Sequence, residues 1–242
     1  MKDNKTREEL SQEVKTTSLE NKPELRGANG FIQKHWKMII TMSVAVIILV
    51  GLILLFRANS EKNELNASKA LARIETYFLE GQYEVSLYAP DSLPMIRGEK
   101  VIGLIKIVEE YGSTKAGERA ALYVADAFYQ LSKFSDAKVY YEKTINSSVP
   151  EIKIGGYAGT AACDERNGKL QDAAENYLKA VNLIDDEGLK MRYMYFAGLC
   201  KEKAGKPEEA KNIYRDIVNL NKFGEFNNMA KAGIVRLGDI VE

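Results

Sequence analysis

Nineteen consecutive residues, 38–56 (MIITMSVAVIILVGLILLF), contain no Asp, Glu, Lys, Arg or His. At ~1.5 Å rise per residue the run makes about 28 Å of helix, close to the ~30 Å hydrocarbon core of a bilayer. A helix satisfies its own backbone polar groups, so such a run can cross lipid. The flanks agree: His35, Trp36 and Lys37 on one side and Arg57 on the other suit the headgroup zone. A buried core helix is the competing reading, and the length and lack of charge argue against it. A cleavable signal peptide fits less well, although Ala58-x-Ser60 faintly resembles a cleavage site. Thirty-seven residues precede the run, and its apolar core exceeds the usual ~7–15. The expectation is an uncleaved single-pass anchor over 35–57, with Trp36, Met38, Gly51 and Phe56 as its anchor residues. Lone Gly51 does not make a helix-packing motif.

Charge sets the direction of the anchor only weakly. Lys22, Arg26, Lys34 and Lys37 lie in the 20 residues before the run, and Arg57, Lys62, Lys69 and Arg73 in the 20 after it. Residues 1–37 hold eight basic and six acidic side chains against 26 and 28 in 57–242, a slight lean to a cytoplasmic N-terminus. The formal charge of the 242-residue chain is zero, with no basic block, so nucleic acid is not an expected partner. Residues 1–34 are read as a tail. Residues 1–30 are rich in Lys, Glu, Asn, Thr and Ser and too poor in aliphatics to offset chain entropy, so disorder is the default. Thr6-Arg-Glu-Glu9 fits a capping box there.

The part after the anchor is self-similar. The segments LSKFSDAKVYYEKTI (131–145), NGKLQDAAENYLKAV (167–181) and AGKPEEAKNIYRDIV (204–218) align at Ala137, Ala173 and Ala210, spaced 36 and 37 residues apart. Tyr141, Tyr177 and Tyr214 keep the same spacing. Twelve residues before each alanine stands another small residue: Ala125, Ala161 and Gly198. Two antiparallel helices approach closely only where both present small side chains, so these positions predict helix–turn–helix crossings. Gly168 and Gly205 suit helix ends that need positive φ, and Pro207 suits the first turn of the helix that follows. Period-two alternation is absent, so the fold class expected is all-α.

This pattern resembles the tetratricopeptide repeat, whose unit is ~34 residues. Three repeats would occupy 113–224. A linker helix and degenerate first repeat would fill 58–112, with YFLEGQYEVSLY (77–88) and a polar insertion around Pro90 and Pro94. A capping helix would take 225–242. The whole would be a transmembrane helix followed by a repeat α-solenoid. The architecture, together with YGSTKAGERAALYVADAFYQLSKFSDAKVYYEK (111–143), is similar to the membrane-anchored YfgM-like ancillary subunits of the Sec translocon, in the form seen in the Bacteroidetes and Chlorobi groups. That resemblance implies a bacterial inner-membrane protein with a cytoplasmic N-terminus and a periplasmic repeat domain. It implies protein partners: translocon subunits, a periplasmic chaperone or nascent secreted proteins.

The chain offers little for catalysis. His35, the only histidine, sits at the expected membrane interface, so histidine-dependent nucleophile and metal sites are excluded within the chain. Cys163 and Cys200 fall at equivalent repeat positions and read as core thiols rather than a disulfide or metal pair. GGYAGTAACDERNGK (155–169) lacks the Gly-Lys-Ser/Thr of a phosphate loop and reads as close helix packing. Pairs such as Glu109-Glu110, Asp185-Asp186 and Glu208-Glu209 read as solvated charge. No enzyme, cofactor, metal or small-molecule substrate is expected. The repeat resemblance implies instead a groove lined by the first helix of each unit. Its frame falls on Arg119, Leu122, Asp126, Tyr129 and Gln130, then Gly155, Ala158, Ala162, Glu165 and Arg166, then Arg192, Tyr195, Leu199, Glu202 and Lys203. Arg119, Asp126, Tyr129, Arg166, Arg192 and Tyr195 are the expected protein-binding residues, arginine and tyrosine being common interface anchors.

Overall fold

A computed structural model describes residues 23–220 and 223–240, which form ten helices and no strand. The expected capping box at Thr6–Glu9 lies outside the described residues. The chain divides into two units with the boundary between Asn59 and Ser60. Helix α1, Pro23–Leu79, contributes to both. It begins twelve residues ahead of the expected span, so 23–34 are helical rather than tail. Once an apolar core holds a helix, each further turn adds a hydrogen bond for little entropy, and Pro23 suits a first position.

In the first unit, Trp36, Met38 and Phe56 are exposed, as are the described aliphatic side chains between them. A Cβ added at Gly51 would meet nothing within 4 Å. Thr41 folds its hydroxyl back to donate to the Met38 carbonyl at 2.9 Å, so this donor is satisfied within the helix, as a membrane span requires. This is the one helix among the described residues long and apolar enough to cross a membrane.

The second unit is a succession of helical hairpins. The C-terminal part of α1 is followed by two short helices, α2 (Tyr83–Tyr88) and α3 (Leu104–Tyr111). Then come the pairs α4 (Lys115–Gln130) with α5 (Phe134–Thr144), α6 (Pro150–Arg166) with α7 (Leu170–Val181), and α8 (Glu187–Lys203) with α9 (Pro207–Leu220). Helix α10 (Glu225–Arg236) packs on both α8 and α9. Consecutive helices pack on one another from α3 through α10.

Five helix ends close in the same way. After α1, Gly81 N–H donates to Phe78 O and Gln82 N–H to Tyr77 O; after α4 the same two bonds run from Ser132 and Lys133 to Tyr129 and Phe128. Gly168 and Lys169 repeat them on Glu165 and Asp164, Gly205 and Lys206 on Glu202 and Lys201, and Gly238 and Asp239 on Val235 and Ile234. This is the Schellman closure, which requires positive φ at the first residue of each pair. The φ values are 78°, 60°, 72°, 73° and 80°. In the first four the next helix starts two residues on, so each hairpin turn is a copy of the others. Ser132 alone among the five carries a side chain into the left-handed region.

Packing between hairpins follows from where glycine stands. A Cβ on Gly159 in α6 would lie 2.2 Å from the Tyr141 ring of α5, and one on Gly233 in α10 would lie 2.7 Å from the Tyr214 ring of α9. At the corresponding position of α8 stands Phe196, whose ring centroid is 5.6 Å from that of Tyr177. Each tyrosine is thus buried against the helix that follows its hairpin. Tyr214 is also covered from behind by Gly198 of its own hairpin, where an added Cβ would lie 2.4 Å from the ring. The expected crossing alanines, Ala125, Ala137, Ala161, Ala173 and Ala210, are fully buried.

These contacts predict two substitutions of opposite sign in thermal unfolding of the detergent-solubilised chain. Gly159→Ala gains helix propensity of about 1 kcal/mol, but its methyl overlaps a ring that cannot swing out of the core. It should lower stability by about 1–3 kcal/mol. Ser132→Gly removes a left-handed penalty and should raise stability by up to about 1 kcal/mol.

Candidate protein-binding face

The hairpin-opening helices α4, α6 and α8 carry the residues that the repeat frame assigns to a groove. Arg119 is exposed near the start of α4, one turn beyond its N-cap Thr114, whose hydroxyl accepts from Gly117 N–H at 3.0 Å. The Glu64 carboxylate of α1 takes the two preceding donors, Lys115 N–H at 2.7 Å and Ala116 N–H at 3.1 Å. Arg119 therefore sits on a helix whose first turn is fully satisfied.

Further along α4, Asp126 is half-buried and accepts a 2.5 Å hydrogen bond from the Tyr141 hydroxyl. Burial raises the Asp126 pKa, and the tyrosine donor lowers it in part. Burial, with Asp126 beside it, pushes the Tyr141 phenol well above its usual range. Tyr129 meets Phe134 edge-on at 5.1 Å. Its hydroxyl accepts from Arg166 Nε at 3.2 Å, and the Arg166 guanidinium lies 5.8 Å from the Phe134 ring centre.

The Tyr129–Arg166 contact is the first rung of a ladder. Glu165, beside Arg166, accepts from Lys203 at 2.7 Å. Glu202, beside Lys203, takes both Arg236 Nε and Nη2 at 2.8 Å and the Tyr214 hydroxyl at 2.9 Å. The rungs join the end of α4 to that of α6, the end of α6 to that of α8, and the end of α8 to that of α10. The Arg236 hydrogen bonds hold the Glu202 carboxyl below the usual carboxylate range, and Glu165 raises the Lys203 ammonium. Sequence reasoning assigned these positions to a ligand; in the structure Tyr129 pairs with Arg166, Glu165 with Lys203, and Glu202 with Arg236 and Tyr214. The signal was present: an acid in one repeat faces a base 38 or 34 residues later.

Tyr195 is a correction. It is 7 % exposed, packed between Tyr214 at 5.7 Å and Phe226 at 6.0 Å. Counting along α8 alone could not show that α10 covers this position. Arg192 remains exposed, its guanidinium 5.7 Å from the Phe196 ring centre. Of the six expected binding residues, Arg119 and Arg192 thus present exposed guanidinium groups, and Asp126, Tyr129 and Arg166 join a polar-aromatic band.

Sequence reasoning also missed a buried polar set between hairpins. Asp164, 1 % exposed, receives Lys138 Nζ at 2.5 Å and Asn176 Nδ2 at 3.3 Å. At the equivalent position of α8, Lys201 donates to Gln171 at 3.0 Å and pairs with Glu209 at 2.6 Å. Cys163 and Cys200 are buried free thiols, as their equivalent positions predict, and burial pushes both up to about 12. Among the described residues no group of His, Cys, Asp and Glu is placed to hold a metal ion.

No family model matches the chain, and no curated protein matches it.

Asp126 gives this face a pH dependence. Its folded pKa is raised, so the folded state holds the proton more tightly than the unfolded chain, and ionisation works against folding above the unfolded value of ~3.9. Asp126→Asn keeps an acceptor for Tyr141 without the charge. Its midpoint should lie above wild type at pH 7, by an amount worth up to about 1 kcal/mol. The gain should shrink to nothing as the pH falls towards 4.

Proposed function

We propose that this chain is a non-catalytic, membrane-anchored scaffold: a tetratricopeptide-type α-solenoid on a single span, which holds protein segments along its hairpin-opening helices. The observation that carries the reading is the set of like Schellman-closed turns, of which those at Ser132, Gly168 and Gly205 recur at 36 and 37 residues with a tyrosine interlock after each, behind a helix apolar enough to cross lipid. Repeats of this kind extend a surface rather than build a pocket, and extended surfaces serve protein partners. A tether raises local concentration, so modest contacts suffice. The similarity to YfgM-like subunits supports a bacterial inner membrane, a cytoplasmic N-terminus, a periplasmic repeat domain, and partners among translocon subunits, periplasmic chaperones or emerging secreted chains.

Photo-crosslinking in cells tests this, with the probe at Arg192 on the exposed face and at buried Tyr195 as internal control. The scaffold reading expects defined protein adducts from position 192 and none from 195. Translocon or chaperone subunits in the adducts support the translocon assignment. Outer-membrane or wall-assembly factors would replace it with an envelope organiser, and no adducts from position 192 would overturn the binding face.

A further inference from the structure

The insertion between α2 and α3 has no counterpart in the later hairpins. It carries a miniature two-residue hairpin, in which Ile96 N–H donates to Glu99 O at 3.0 Å and Glu99 N–H to Ile96 O at 3.1 Å. The two central residues, Arg97 and Gly98, have φ of 55° and 77°. A tight turn with positive φ at both positions favours Asn or Gly first, because a long side chain in the left-handed region costs about 1–2 kcal/mol. Arginine at the tip is therefore a local strain that the backbone alone does not require. Strain of this sort clusters where a side chain is being presented.

Arg97 is presented to a cleft. Lys69, Ala72, Arg73 and Thr76 stand at i, i+3, i+4 and i+7, forming one stripe along α1. Opposite them stand Ile96, Arg97 and Glu99, and the cleft between holds about 500 Å³. Arg73 reaches across to Glu99 at 2.5 Å, which pins the hairpin to the helix. Glu99 is the only acid in the lining. Among the described residues, Lys69 and Arg97 have no carboxylate within ion-pairing distance. The adjoining depression adds Asn66, Lys100 and Tyr111, with Lys100 held by exposed Asp91 at 2.6 Å.

We propose that this cleft is a second binding site, for an acidic peptide segment of a partner protein. The unpaired cations, Lys69 on the helix stripe and Arg97 on the facing hairpin tip, lie apart across the cleft, so the anion they match is elongated and carries at least two charges. Ala72 and Ile96 line the same channel with apolar surface, which suits a chain of side chains better than a single inorganic anion. The planar guanidinium of Arg97 fits a carboxylate in bidentate fashion. The volume is that of an ordinary ligand cleft. None of these residues belongs to the face formed by α4, α6 and α8, and the proposal stands without that reading.

The turn supplies its own test. Arg97→Gly removes the guanidinium and relaxes the backbone, so binding and stability should move in opposite directions. The full chain in neutral detergent is titrated into a fluorescent oligoglutamate peptide, with oligoglutamine as control. Inorganic phosphate and anionic-lipid mixed micelles serve as competitors. Expected are salt-sensitive binding of oligoglutamate over oligoglutamine, about tenfold weaker binding by Arg97→Gly, and a variant midpoint equal to or above wild type. Absence of oligoglutamate binding, equal affinity in Arg97→Gly, or loss with Arg192→Ala instead would each overturn the site. Displacement by phosphate or anionic lipid at matched charge would overturn the peptide class.

Discussion

Each hairpin of this protein is held to the next by a buried aromatic ring pressed onto the following helix. Tyr141 lies against Gly159, Tyr177 against Phe196, and Tyr214 against Gly233. Truncating a buried aromatic of this size costs about 3–5 kcal/mol, comparable to the whole stability of a small domain. Glycine at two of the three receiving positions lets backbone and ring meet at van der Waals distance, which no larger residue allows. The phenol ends of Tyr141 and Tyr214 are then satisfied by Asp126 and Glu202, so the rings can be buried without leaving a polar group unpaired. Position and hydrogen bonding together make the tyrosine both spacer and clamp.

From this packing the surface chemistry follows. The closing tyrosines bring the ends of the hairpin-opening helices side by side, and those ends carry acid and base in alternation. The resulting ladder from Tyr129 to Arg236 fixes the register of successive hairpins. Its rungs are largely exposed, where single ion pairs contribute under about 1 kcal/mol each, so they tune the stack rather than support it. Arg119 and Arg192 lie off the ladder, and they are the charged side chains through which this face meets a partner in the proposed scaffold.

The all-α class and the positions of the hairpins were legible because small residues, tyrosines and turn glycines repeat at one spacing. The burial of Cys163 and Cys200 was legible for the same reason. Tyr195 was misassigned because a positional frame describes one helix, while burial depends on what lies above it, here Phe226 of α10. The internal bonds of Tyr129, Glu165, Arg166, Glu202 and Lys203 were not legible, because a lone sequence position does not show its partner in the next repeat. The turn at Ser132 was legible from the alignment of 131–145 with the two later segments, although serine stands there in place of glycine. The Arg97–Gly98 hairpin was invisible because a left-handed arginine contradicts residue preference, and the surrounding prolines spoke only of an insertion.

In the proposed scaffold the binding groups would lie on the hairpin stack and the apolar helix would set its location. If the hairpins form a nearest-neighbour array, damage at one interlock stays local, because each unit contacts only its neighbours. Hydrogen exchange on a Tyr214→Leu variant in detergent tests this most directly. Lost protection is expected in α8, α9 and α10, with α4 and α5 exchanging at wild-type rates. Uniform loss of protection from α4 to α10 would contradict the array and show a single cooperative core instead.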